Sequence, residues 1–204
     1  MNNKPINIEE ARNILKFAKR IYRALDGVTV RYGRVFAYYP NELVIEIPRR
    51  ISEEDQETMI EILKYSNEEF NTDFEYNIRE SSIHAFCHEI GHHMDFEGKY
   101  MTNSLEEYLM ADHYNRDLYD SFCNEFAMKA QAFATILDQY EAEDEVDEEL
   151  ELVFEQNRIE LIYEDEELDL LYRAIPTEYA ADEFSARFFM TYLRAYRQCN
   201  YEIY

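Results

Sequence analysis

Apolar residues recur every three or four positions at the start of the chain. Ile14, Leu15, Ala18, Ile21, Tyr22 and Leu25 form one stripe before Asp26-Gly27, which predicts an amphipathic helix from Ile8 to about Leu25. The period then shortens. Residues 28–30, 35–39 and 43–47 are β-branched or aromatic runs separated by Gly33 and Pro40-Asn41 and stopped by Pro48, so a small antiparallel meander is expected. Ser52, followed by Glu53, Glu54 and Asp55, reads as a capped helix start that Met59, Ile60, Ile62, Leu63 and Phe70 carry onward.

Ser81 and Ser82 stand where a further helix would begin, and Ile83, Phe86, Cys87, Ile90 and Met94 give it one apolar stripe. Ser104 opens a helical stretch through Tyr140 with a break near Asn115, and helical residues resume around 152–171. Pro176 and Thr177, with Thr177 as N-cap, start the last helix, which Tyr179, Ala180, Phe184, Arg187, Phe188 and Tyr192 continue. No fixed-period repeat and no Gly- or Ser-rich linker interrupts the pattern. The expected fold class is α+β and predominantly helical, with the small sheet packed on the helix around residue 88. One domain is expected, residues 1–100 supplying sheet and central helix and residues 101–204 a helical lobe.

With 204 residues, 47% of them hydrophobic and 15% aromatic, the chain has enough apolar mass for one sizeable core. No run of 18 apolar residues exists, and the first residues lack the basic-apolar-small order of a secretory signal, so a cytoplasmic location is expected and a membrane partner is not. Cys87, Cys123 and Cys199 are odd in number and widely spaced, which favours reduced, packed thiols over disulfides or a zinc ribbon.

The formal charge of −24 is unevenly spread. Residues 1–80 hold 12 basic and 15 acidic side chains, whereas residues 81–204 hold 8 and 29. Its densest part, residues 138–169, sets 16 acids against the single base Arg158. Such a field repels nucleic-acid phosphates and favours cationic substrates or partners.

The chemistry lies in His88-Glu89-Ile90-Gly91-His92. On a helix, positions i and i+4 share a face, so His88 and His92 can bind one Zn²⁺ while Glu89 reaches a water on the metal. Zinc lowers that water's pKa from about 15.7 to about 7, and Glu89 then takes its proton as it attacks a carbonyl. Gly91 costs about 1 kcal/mol relative to Ala within a helix, so a close neighbour such as a strand is expected against its backbone.

Catalytic zinc takes three protein ligands and keeps one position open, so a third donor must come from elsewhere. Position 98, ten residues after His88, is Gly, which excludes one arrangement of three histidines. His84 and His88 continue around the helix too far to close on one ion with His92, and His93 points about 100° away from His92, behind the ligands or at the surface. Glu178 is the first choice, because Glu178 and Asp182 stand at i and i+4 on a newly started helix, where one can ligate and the other orient a ligand histidine. Asp182 in the exchanged role, and Glu125, are the alternatives.

Together with the later Pro176-Thr177-Glu178-Tyr179-Ala180-Ala181-Asp182-Glu183-Phe184, the motif resembles the zincin metallopeptidase superfamily in its Glu-ligand branch, especially small peptidases of phages and mobile elements. About twenty residues carry the likeness. The resemblance implies a twisted sheet on the active-site helix, an edge strand that binds extended peptide, and a third Glu from a later helix. Those roles would fall on residues 28–47, on His88, Glu89 and His92, and on Glu178. The 85 residues between His92 and Glu178 exceed the spacing in compact members and hold the acidic insert.

If residues 43–47 form the sheet edge, their backbone would pair with a substrate strand. Tyr163, Tyr172 and Tyr179 are all eligible to help at an oxyanion, and the sequence assigns none. The expected function is zinc-dependent peptide hydrolysis on a peptide or basic protein substrate. The alternative is an acidic, non-enzymatic interaction protein, a nucleic-acid mimic or host-factor inhibitor, with a structural or vestigial metal site.

Overall fold

The computed structural model describes residues 4–100, 113–142 and 148–193. Helix α1 spans Ile8–Ile21. Asn7 caps it, accepting from the Glu9 and Glu10 amides while the Glu10 carboxylate returns to the Asn7 amide. The expected stripe runs past the helix end into a separate 3₁₀ turn, Arg23–Leu25. Ala11, Ile14, Leu15, Ala18 and Leu25 are all buried, so the periodicity reported the face correctly although the helix is shorter.

Strands β1 (Thr29–Gly33), β2 (Ala37–Tyr39) and β3 (Val44–Pro48) make one sheet in the order β1-β3-β2. It is mixed, and so departs from the expected meander: β1 runs parallel to β3, and β2 antiparallel to it. The central position of β3 also removes residues 43–47 from the expected edge role. Its burial explains the placement, because Val44, Ile45 and Ile47 are all buried, as in a strand covered by neighbours on both sides. Leu43, at φ 53°, turns the chain from β2 into β3.

Helix α2 (Glu53–Phe70) begins with the expected capping box between Ser52 and Asp55, and Asn71 closes it in the left-handed conformation. Helix α3 (Ile78–Tyr100) starts one turn before the expected serines. Asn77 caps it by accepting from the Glu80 amide, while the Ser81 and Ser82 hydroxyls bond back to the carbonyls of Asn77 and Arg79. Helices α4 (His113–Ala142) and α5 (Glu148–Arg173) follow, and α6 (Pro176–Phe188) runs into a π-helical turn, Phe189–Leu193. No break occurs at Asn115, and Ser104 lies outside the described residues. Pro176 takes the first helical position, where its missing N–H costs nothing, so Thr177 lies inside the helix and is not its cap. Among the described residues, no helix is long and apolar enough to cross a membrane.

These elements form two compact units: the described residues up to Tyr100 with those from Thr177 onward, and residues 113–176 within the other. The residues expected to form a single helical lobe are thus shared between units. In the second unit, α4 and α5 pair as an antiparallel hairpin. Tyr119 faces Tyr172, and Phe154 stacks on Tyr140 with ring centroids 4.4 Å apart. Lys129 lies among Glu160, Glu164 and Glu125.

In the first unit α3 is central. Ile83, Phe86, Cys87 and Ile90 enter the core with α1, β1, β3 and Leu63 of α2. Each such fully buried large side chain contributes about 1.5–3 kcal/mol. The opposite surface of α3 is covered too: His84 Nε2 meets Ser66 Oγ of α2 at 3.0 Å, and the Ser185 hydroxyl of α6 donates to the His84 carbonyl at 3.0 Å. Gly91 does have a close neighbour, but it is a helix and not a strand. A methyl group there would lie 2.7 Å from Ala181 Cα and 2.8 Å from its carbonyl oxygen, backbone that only a shift of α6 can move.

Gly98, on the same helix, has nothing within 4 Å of where its Cβ would be. Gly91→Ala is therefore expected to destabilise the protein by about 1–3 kcal/mol, whereas Gly98→Ala stabilises it by about 0.5–1 kcal/mol. Urea unfolding of both variants measures the difference; equal effects would remove the close contact as the reason for Gly91.

Candidate metal centre

The site is built where α3 and α6 meet. On α3, His84, His88, Gly91 and His92 follow helical spacing along one side; on α6, Glu178, Ala181, Asp182 and Ser185 do the same and are all buried. The small residues at the centre let the backbones approach, and the polar ones then reach across.

His88 Nε2 lies 3.2 Å from Glu178 Oε2, and His92 Nε2 lies 3.4 Å from the same oxygen. The far nitrogen of His88, Nδ1, is 2.7 Å from Asp182 Oδ1. Glu178, the expected third ligand, thus faces both rings, and Asp182, the expected orienting partner, faces the far side of His88. His88, His92 and Glu178 each offer a ligand atom within 4.8 Å of the others, the donor group found among the described residues. Donors held tetrahedrally at about 2.0–2.1 Å from one zinc ion lie roughly 3.3 Å apart, so the two measured separations fit a single ion. Glu125 is not part of this group. It lies on α4 in the other unit, exposed, with Lys129 at 3.9 Å.

Electrostatics bind the centre together. Burial disfavours the His88 imidazolium, but the hydrogen bonds to Asp182 and Glu178 outweigh it and raise His88 to about 10. Burial likewise raises Glu178, and the bonds from His88 and His92 reverse this, holding its carboxyl far below the usual range. Glu89 moves the other way. Burial lifts its carboxyl above the ordinary value against the pull of His88 and His92; the Glu178 charge adds to the rise and the Tyr38 amide opposes it.

Tyr38 and His93 were not foreseen in these roles. The Tyr38 amide, in β2, is close enough to Glu89 to favour its carboxylate, and the Tyr38 hydroxyl lies 2.7 Å from His93 Nδ1. His93 Nε2 lies 2.9 Å from the Ala24 carbonyl, which can only accept. Nε2 therefore carries the proton and Nδ1 accepts from Tyr38. Burial keeps this ring below its usual pKa, and at 1% exposure it is an interior tie between α3, the 3₁₀ turn and the sheet, not a surface residue. No periodicity could have shown this, because a ring 100° from the ligand face gives no sign of what covers it.

Of the three tyrosines considered, Tyr179 alone belongs to the unit that holds the site; it follows Glu178 and its hydroxyl donates to Glu69 at 3.4 Å. Cys87 is buried beside His88 and Cys123 is half-buried, both as free thiols; Cys199 lies outside the described residues. Comparison with protein-family models, curated proteins and solved structures returns no match.

Two outcomes are expected. Asp182→Ala should weaken zinc binding about 10–100-fold, with a smaller loss for Asp182→Asn, which keeps an acceptor for Nδ1–H; competition with a chromogenic chelator measures both. Because the metal-free protein holds a proton on His88 up to about pH 10, an ion must displace it. Zinc affinity should therefore rise with pH, about tenfold per unit between roughly pH 6 and 8. Calorimetry in buffers of different ionisation enthalpy counts the released proton; no release would contradict a charged His88.

Proposed function

We propose that this chain is a zinc-dependent peptide hydrolase. The observation that carries the reading is the convergence of His88, His92 and Glu178 with Glu89 buried beside them. Two imidazoles and one carboxylate are a donor set that zinc prefers, and three protein ligands leave a fourth position for chemistry. When bound, zinc would supply the Lewis acidity that makes a water nucleophilic near neutral pH and polarises a carbonyl.

The remaining work belongs to the chain. Glu89, with its carboxyl raised by burial, accepts a proton from a water beside it and delivers that proton to the departing amine nitrogen. The Tyr38 amide steadies the Glu89 carboxylate. Asp182 engages His88 Nδ1, which leaves Nε2 directed at Glu178 as a ligand nitrogen. β2 is an edge strand and reaches Glu89, so it takes the substrate-pairing role that central β3 cannot fill. The acidic excess favours substrates with basic segments. The likeness to zincins rests on the motif and on the later Glu178 helix, and both supply residues to this one centre.

Purified protein is expected to bind close to one zinc per chain, and His88→Ala to lose it, by elemental analysis. Glu89→Gln should keep the metal while cleavage of a peptide library, read by mass spectrometry, falls about 10²–10⁴-fold. Unchanged cleavage by Glu89→Gln would sink the mechanism. A zinc-free wild-type protein that still binds basic partners, with affinity falling as salt rises, would favour the acidic interaction protein instead.

A further inference from the structure

Helix α5 has two apolar faces. One turns to α4, where Phe154 meets Phe133 and Tyr140, and where Leu168 and Leu171 line a cleft with Phe122 and Phe126. The other faces outward. Leu152, Ile159, Ile162, Tyr163 and Leu170 are 58, 46, 48, 68 and 61% exposed. At about 100° per residue, positions 152, 159, 163 and 170 fall within roughly 40° of one line, opposite the α4-facing side. Their spacing of seven, four and seven places them on a/d positions of a heptad over about 27 Å, with the polar Gln156 and Glu166 at the a/d positions between. A solvated outer face has no need of four large apolar side chains in register, and a helix that is apolar on opposite sides is ordinarily covered on both.

Acids flank the seam. Glu151, Glu160 and Glu167 are exposed, and Glu155 holds Arg158, the single base between residues 138 and 169. Lys129, the other nearby cation, is engaged by Glu164 and Glu160. A second copy would bring like rows of acid together, and an anionic bilayer would be repelled in the same way. A cationic helix meets neither obstacle.

We propose that the outer face of α5 is the docking surface for a basic amphipathic helix of a partner protein. The partner's apolar seam packs on Leu152, Ile159, Tyr163 and Leu170, and its flanking Lys and Arg side chains meet Glu151, Glu155, Glu160 and Glu167. Apolar contact supplies the affinity, while charge selects the partner and speeds its approach. This surface lies wholly in the second unit and includes none of His88, His92 and Glu178.

The test titrates full-length protein with a fluorescent synthetic helix of three Leu-Lys heptads, about 21 residues, at about 50 and 500 mM salt. Expected are saturable one-to-one binding, weakened but not abolished by salt, and at least about a tenfold loss in the Ile159→Ser, Tyr163→Ser double variant. Both sites are exposed, so the variant should keep its circular dichroism and its zinc content. A peptide of the same composition with a scrambled seam should not bind. Three results would overturn the proposal: no binding of the seam peptide, equal binding of the scrambled peptide or by the double variant, or a wild-type dimer in sedimentation that the double variant dissociates.

Discussion

The contact between Gly91 and Ala181 is the constraint on which the rest of the site depends. Two helix backbones meet there closely enough that a single methyl group at Gly91 would fall 2.7 Å from Ala181 Cα. His88 precedes Gly91 by one turn and His92 follows it directly, while Glu178 precedes Ala181 by one turn and Asp182 follows it directly. The approach therefore sets two imidazoles against two carboxylates.

That proximity is stabilised by charge, and charge is also what makes it demanding. Glu178 and Asp182 are each 3% exposed, and a buried carboxylate without a partner costs several kcal/mol. Each is matched by His88, and Glu178 also by His92. The other buried histidines are partnered as well, His84 by Ser66 and His93 by Tyr38 and Ala24. Such a network holds α3 in one rotational setting, because turning it would strand several polar groups together. His88, His92 and Glu178 are thus held together by hydrogen bonds and charge among themselves and with Asp182.

The two units solve different problems with the same helical material. In the first, a helix covered on all sides concentrates its polar residues into one centre. In the second, a two-helix hairpin buries one face between α4 and α5 and leaves an apolar, acid-bordered line outside. The acids that make the chain so strongly negative are concentrated in the second.

What the sequence determined by itself was local. The His-Glu-x-x-His spacing specified a shared helix face; Ser52 and Asp55 specified a cap; the stripe in residues 14–25 specified a buried side, since each depends on neighbours a turn apart. Glu178 and Asp182 were legible as a pair for the same reason, yet sequence could only rank them against Glu125. Their different positions, Glu178 between the two rings and Asp182 at the far nitrogen of His88, came from the crossing of α6 over α3. The sheet shows the same limit: strand positions were readable from β-branched runs, but the parallel pairing of β1 with β3 was not, because hydrogen-bond partners are chosen across space. Tyr38 and His93, 55 residues apart, became partners only when the tertiary structure laid β2 against the central helix.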